Sequence, residues 1–330
     1  MRKIGITTTV PVEVIFSANC IPVDLNNIFI SNKNPEKLIE IAERYGFPRT
    51  TCSWIKGIFA SAINENIKEV IAVMEGDCSN THALSEVLKI NGIKIIPFSY
   101  PHSKNYDLLK KNIENLIKYF GSSWDNVLKI KEKLDEIRKK LLIIDELTYK
   151  ENKVTGYENH IFLVSSSDFK GDYKKFSEEI DEFIKKVKKR KKIKHKIRLG
   201  FIGVPPIITD IYNQTEKIGA QVVYNEVQRQ FAMLNLEKDI VKQYLLYTYP
   251  YSVFDRIKDI NREIKKRKID GIIHYVQSFC FRAIEDAIFK KFIKVPVITI
   301  EGDRPQKLDQ RSKIRLESFI DMLLFKKRNI

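Results

Sequence analysis

The sequence predicts an α/β protein in which two parallel-sheet domains are joined by a helical segment. Strand-like and helix-like stretches alternate from Lys3 to about Tyr100, give way to long charged helical periodicity, and resume at Ile197. Such alternation implies parallel strands linked by crossover helices that cover the sheet faces. The chain has 330 residues, which is long for one hydrophobic core and comfortable for two.

In the first stretch, Lys3 to Val10 reads as a strand and Pro35 to Tyr45 as a helix. Between them, Cys20 stands at a helix end before an extended segment that includes Ile21-Pro22. A second helix runs from about Cys52 to Ile63. Glu69 to Met74 is a short apolar strand, Ser79 to Ile90 a helix, and Ile93 to Phe98 a strand bounded by prolines. From Lys104 the pattern is helical. Leu108, Ile113, Leu116, Ile117 and Phe120 share one face, and Val127, Ile130, Leu134, Ile137, Leu141 and Ile144 form a second stripe. A third helix covers Tyr173 to Val187.

In the second half, strands are expected at Ile197–Ile202, Gln221–Tyr224, Gly271–Tyr275 and Val295–Ile300, forming a four-stranded parallel sheet. The intervening helices include Val253–Lys266 and Cys280–Phe289, and a last one runs from about Lys313 to Phe325. The two halves read as two versions of one architecture. The expected division is residues 1–103 as an N-terminal α/β domain carrying Cys52 and Cys78, 104–196 as a helical bridge with a basic linker, and 197–330 as a C-terminal α/β domain carrying Cys280.

Hydrophobic residues make up 43% and charged residues 30%, a globular balance. No apolar run reaches the ~18 residues that span a bilayer, and the N-terminus lacks a signal-peptide profile, so a cytoplasmic protein without a membrane partner is expected. The formal charge is +16, and ten of the fourteen residues from Lys185 to Arg198 are Lys or Arg. That run has no aromatic residues for base stacking, which disfavours nucleic acid. A solvated helix end and linker is the simplest reading, with docking of an acidic protein as the next.

The chemistry concentrates in the cysteines. Cys78 follows the Glu69–Met74 strand and opens a helix; Cys280 follows the Gly271–Tyr275 strand in the same manner. In open α/β sheets, ligand sites gather at the carboxyl ends of strands. Cys52, within Thr50-Thr51-Cys52-Ser53-Trp54, also opens a helix, where the helix dipole favours the thiolate that binds metal. A single such cysteine is most simply a buried structural thiol. Three at equivalent positions point to a metal site, and the absence of a C-x2-C knuckle argues against zinc. Cys20 is read as structural.

His82, one turn beyond Cys78, and His274, in the strand before Cys280, read first as packing or surface residues. Glu226, Glu301 and Asp303 follow strand ends and are weaker candidates for substrate or proton handling. Gly203-Val204-Pro205-Pro206 makes a tight strand-to-helix turn. The chain has no G-x-x-x-x-G-K-[ST] phosphate loop and no G-x-G-x-x-G turn, so any ATP its chemistry needs is hydrolysed by another protein.

Taken together, the sequence resembles the 2-hydroxyacyl-CoA dehydratase and benzoyl-CoA reductase family of subunits, and the smaller, β-type subunit in particular. The likeness runs through Val10-Pro11-Val12-Glu13-Val14-Ile15, Cys52, Gly76-Asp77-Cys78, the turn at Gly203 and Ile218-Gly219-Ala220-Gln221-Val222-Val223 with Asn225-Glu226. It continues through Ile269-Asp270-Gly271-Ile272-Ile273, Cys280, Val295 to Asp303 and Arg315-Leu316-Glu317-Ser318-Phe319. The resemblance implies two flavodoxin-like domains with a [4Fe-4S] cluster between them, held by cysteines matching Cys52, Cys78 and Cys280, one iron being left for another ligand. It implies an ATP-hydrolysing iron-sulfur activator that delivers a low-potential electron, a homodimer or a heterodimer with a related subunit, and a 2-hydroxyacyl-CoA substrate dehydrated after reduction to a ketyl radical. The family also holds reductases and cluster proteins with other substrates, so an electron-transfer or reductase protein without acyl-CoA chemistry is the alternative.

Overall fold

The computed structural model describes residues 1–329 and contains two four-stranded parallel sheets flanked by helices. The first sheet comprises β1 (Lys3–Ile6), β2 (Ile21–Asp24), β3 (Glu69–Glu75) and β4 (Lys94–Ser99), in the order β2-β1-β3-β4. The second comprises β5 (Ile197–Gly203), β6 (Ala220–Asn225), β7 (Gly271–Gln277) and β8 (Val297–Gly302), in the order β6-β5-β7-β8. Every pairing is parallel. The fold class is therefore the one the alternation predicts: two flavodoxin-like α/β sheets.

Each sheet is covered on both faces, which explains its near-continuous apolar strands. Val70, Ile71, Ala72 and Val73 are fully buried in β3, as are Ile272 and Ile273 in β7. β2 pairs with β1 alone, and at this edge Pro22 removes no ladder bond from a second neighbour. β1 is shorter than the expected Lys3 to Val10. Thr7 makes the last backbone bond to β3, its N–H donating to the Ile71 carbonyl at 3.2 Å, and its hydroxyl then accepts the Val73 N–H at 3.1 Å.

The helices start and stop where local chemistry dictates. Asn34 caps the helix Pro35–Tyr45 by accepting the Lys37 N–H at 3.3 Å, Pro35 occupies its first turn, and Gly46 ends it at φ 116°. Asn105 and Gly121 do the same for Tyr106–Phe120. On that helix the buried stripe is Leu109, Ile113, Leu116, Ile117 and Phe120, while Leu108 is exposed. The sequence reading was one residue out at the first position, because two adjacent leucines leave the phase undecided. The second stripe lies on one helix, Trp124–Tyr149, with Val127, Leu134, Ile137, Leu141 and Ile144 buried.

The chain divides into two compact units. The first comprises residues 1–140, 164–180 and 230–252, and the second residues 141–163, 181–229 and 253–330. The helical stretch between the sheets is shared out between them. In the first unit, a buried carboxyl pair ties the β2 edge to the segment Ser165–Gly171. The Asp24 N–H donates to Asp168 Oδ2 at 2.8 Å, and the Ser167 hydroxyl donates to Asp24 Oδ2 at 2.5 Å. Glu13 is likewise buried there, paired with Arg138 at 2.7 Å and accepting the Tyr244 hydroxyl at 2.8 Å. In the second unit, Arg267 joins Asp145 at 2.6 Å to Glu263 at 2.7 Å, all three buried. Among the described residues, no helix is long and apolar enough to cross a membrane.

Candidate functional site

Both sheets share one strand order, so each reverses direction next to its first strand: between β1 and β3 in the first unit, and between β5 and β7 in the second. At such a reversal the connections leave in opposite directions and open a crevice at the carboxyl ends of the strands. Thr7-Thr8-Thr9 leaves β1 and Gly76-Asp77-Cys78 leaves β3. In the second unit Val204 follows β5, and Ser278-Phe279-Cys280 follows β7. Cys78 and Cys280 thus hold the same place in two copies of one topology.

In the first unit, Cys52 is the N-cap residue of the helix Ser53–Asn64, and its carbonyl receives the Ile55 and Lys56 N–H groups at 3.1 and 3.2 Å. Its buried thiol belongs to an apolar cluster with Ile55, Phe59, Val70 and Leu84, against which the half-buried Cys78 also packs. Cys78 enters the helix Asn80–Ile90 through its carbonyl, which accepts the Thr81 N–H at 3.0 Å. Two of the three expected thiols therefore share one cluster. Gly76 makes the turn between strand and thiol at φ 92°. A Cβ there would lie 2.8 Å from Pro250 and 2.9 Å from Tyr100, so the turn is pressed against both. His82 donates from Nε2 to the Met74 carbonyl at the end of β3, 2.9 Å away, a packing role. Cys20 is buried with its thiol directed at the Ala18 carbonyl at 3.6 Å, and burial pushes that thiol up. None of the four cysteines is in a disulfide.

In the second unit, Cys280 caps a 3-10 turn, Phe281–Glu285, that precedes the helix Asp286–Phe292; the sequence reading made this one α-helix. The turn is entered through Phe279, held in the left-handed region at φ 64°. Phe279, Phe281 and Ile284 are exposed around the thiol. Cys280 lines a small, partly open pocket with Gly203, His274, Gln277, Arg282 and Glu285.

Charged side chains hold this pocket together. Arg256, fully buried, grips Glu226 with two bonds of 2.7 and 2.8 Å, reaches Glu285 at 2.5 Å, and donates to the Gly203 carbonyl at 3.3 Å. Glu226 also accepts the Gly203 N–H at 3.2 Å, so one ion pair anchors the β5 exit to the Cys280 turn. His274 Nδ1 lies 2.7 Å from Asp286, and burial pushes the imidazole down against the carboxylate's pull. A neutral ring therefore donates from Nδ1 and keeps Nε2 as an acceptor. Asp286 stays below the usual carboxylate range despite its burial, because Lys290, Thr299 and His274 hydrogen-bond to it.

Of the weaker sequence candidates, Glu226 is engaged with Arg256, Glu301 accepts the Ser278 hydroxyl at 2.7 Å, and the Asp303 carbonyl accepts from Gln277 at 2.7 Å. Sequence reading missed Arg256, Arg282 and Glu285. A signal existed for the first: Arg256 falls in phase with Ile257, Ile260 and Ile264 on the buried face of its helix, where an arginine needs a buried partner. Among the described residues, no group of three or more His, Cys, Asp and Glu side chains is gathered to hold a metal ion.

Comparison with curated proteins returned no match. The family model of the 2-hydroxyglutaryl-CoA dehydratase D-component matches residues 7–323, which takes in every strand but β1, the turns that leave β3 and β7, and all four cysteines. With nearly its whole length accounted for in this way, the chain belongs to the 2-hydroxyglutaryl-CoA dehydratase D-component family.

Proposed function

We propose that this protein is an iron-sulfur subunit of a 2-hydroxyacyl-CoA dehydratase-type enzyme, with Cys52, Cys78 and Cys280 as the ligands of a [4Fe-4S] cluster. The observation that carries the reading is the repeated position of Cys78 and Cys280, each at the exit of the third strand of a 2-1-3-4 sheet. Family membership over residues 7–323 supports it independently. The donor chemistry fits: three thiols, each at a helix or 3-10 start, suit iron-sulfur ligation better than zinc or a hard cation. Thiolates of a four-iron cluster bind separate irons, so they need not converge on one point as the ligands of a single ion do.

When bound, the cluster supplies a low-potential electron and Lewis acidity towards a substrate oxygen. The chain's own residues set its surroundings. Arg256 and Glu285 fix the turn that presents Cys280, and Gly76 lets the Cys78 turn approach Tyr100 and Pro250. His274 Nε2 is a neutral proton acceptor beside the Cys280 pocket. In this reading an ATP-hydrolysing activator feeds the electron, a related subunit or second copy completes the enzyme, and an acyl-CoA is the substrate.

The test is iron and acid-labile sulfide analysis after anaerobic reconstitution, with EPR of the reduced protein. The expected result is about four of each per chain, with iron lost from Cys52→Ser, Cys78→Ser and Cys280→Ser and kept by Cys20→Ser. Iron-free wild-type protein, or full occupancy in Cys280→Ser, would overturn the reading.

A further inference from the structure

In a parallel α/β unit every strand starts at one edge of the sheet and every crossover helix ends there, so the segments leading into the strands form a single face. In the second unit that face is basic. Lys194, Lys217, Lys268 and Lys294 stand three residues before β5, β6, β7 and β8 in turn, and all four are exposed. The run Lys185–Lys196, which leads into β5, carries eight lysines, and every one is exposed. Hydrogen bonds draw these segments together. The Lys196 N–H donates to the Gly219 carbonyl and the Asp270 N–H to the Arg198 carbonyl, both at 2.8 Å. Lys327, near the end of the last helix, Gln310–Arg328, donates to the Lys196 carbonyl at 3.2 Å.

Neither the fold nor the helix dipole demands this charge. The dipole favours a cation within the last helical turn, which covers Lys217, but Lys194 lies six residues beyond the end of the helix Tyr173–Lys188. The first sheet has the same topology, and the residues three before β2, β3 and β4 are Ala18, Asn66 and Asn91. Asn66 and Lys268 even share one left-handed backbone position, each at φ 51°, which asparagine adopts more readily than lysine. At that edge of the first unit, cations are matched: Arg2 pairs with Glu69, and Lys3 with Glu65 at 3.3 Å. In the second unit the nearby carboxylates are already engaged or sheltered. Asp270 is held by Lys327 at 2.9 Å, Glu158 by Arg190 at 2.7 Å, and Glu216 is half-buried. The charge of the exposed lysines is left over.

We propose that the amino-terminal edge of the second sheet, marked by Lys194, Lys217, Lys268 and Lys294, is a docking face for an acidic protein surface. Carboxylates of the partner meet the lysines. Its N–H and O–H donors meet the carbonyls that helices leave open at their C-termini. A nucleic acid fits less well: phosphates are gripped by arginine forks and by helix N-termini, and this face offers lysines and helix C-termini instead. The basic run also lacks the interleaved aromatic rings of a base-stacking platform. Cys280 lies beyond the opposite end of β7, whose seven residues span roughly 20 Å, so a partner docked here leaves the Cys280 pocket open. The inference is independent of the cluster assignment.

The experiment uses the full chain, with fluorescently labelled poly-L-glutamate as the probe and anisotropy as the readout, at physiological salt. Two fourfold variants carry the same net charge. One changes Lys194, Lys217, Lys268 and Lys294 to Glu. The other changes Lys37, Lys68, Lys89 and Lys118 of the first unit, all exposed, to Glu. Melting temperatures of both should match wild type, since the substituted side chains are all on the surface. The expected result is binding by wild type that the edge variant weakens at least about tenfold and the first-unit variant weakens far less. Rising salt should weaken wild-type binding steeply, as for any exposed charge contact. Equal losses in the two variants would show net charge acting without a site and overturn the proposal. So would the absence of wild-type binding. Duplex DNA of equal total charge is run as a competitor; if it binds more tightly than polyglutamate and is lost in the edge variant alone, the face belongs to nucleic acid and the protein partner is wrong.

Discussion

Arg256 and Glu226 meet side-on, Nε to Oε1 at 2.7 Å and the second guanidinium nitrogen to Oε2 at 2.8 Å, with neither side chain more than 1% exposed. Removing one member of such a pair strands the other's charge away from water, which typically costs ~3–5 kcal/mol. Arg256→Ala should therefore lower unfolding free energy by that order in urea titration. It should also loosen the Cys280 turn, since Glu285 loses its anchor. Replacing both partners, as Arg256→Met with Glu226→Leu, should cost clearly less than the sum of the two single changes.

The Asp24–Asp168 pair predicts a pH dependence with a definite sign. Burial, and then the neighbouring Asp24 charge, push Asp168 up to about 7, and burial raises Asp24 as well. Between the usual carboxylate range and about pH 7, the folded chain holds a proton that the unfolded chain has released. Stability is then complete at the acidic end of that window and falls as pH rises through it, by a few kcal/mol. Asp168→Asn should flatten the slope between pH 5 and about pH 7. A thermal melt series across that window, run on both proteins, checks it; parallel slopes would refute the assignment.

Gly203 tolerates no side chain. Its φ is 105°, and a Cβ would meet the Tyr275 carbonyl oxygen of the neighbouring strand and lie 3.0 Å from the His274 ring. Backbone strain and steric overlap together should make Gly203→Ala less stable by roughly 2–4 kcal/mol. Because the same turn lines the Cys280 pocket, reconstituted iron should fall with it. Gly219→Ala, with a φ of 80° but open space around it, should cost only about 1 kcal/mol.

The sheets were legible because buried parallel strands are apolar from end to end, and Val70 to Val73 or Ile272-Ile273 announce themselves in any window. β2 was harder to read. Its four residues include Pro22 and end in the capping Asp24, and a one-sided edge needs no longer signal. The cysteine positions were legible for the same reason as the strands they follow. What sequence could not give is partnership at a distance: Arg256 with Glu226 and Glu285, or Tyr247 over Thr9, pairs residues from 29 to 238 positions apart. Nor could spacing foresee the left-handed Phe279, whose conformation is imposed by the turn it enters rather than preferred by its side chain.

The interleaving of the two units has a practical consequence for anyone who would cut the protein apart. The chain passes from one unit to the other at 140/141, 163/164, 180/181, 229/230 and 252/253. A fragment that stopped after the basic run would carry the whole first sheet with Cys52 and Cys78, yet would leave behind residues 230–252 of the same unit. It would lose Tyr244 from Glu13, Pro250 from Gly76, and the ring of Tyr247 from above Thr9. Each half of this molecule is finished by chain that arrives late, so the thiols of the first sheet acquire their final surroundings only after the first two strands of the second sheet have been made.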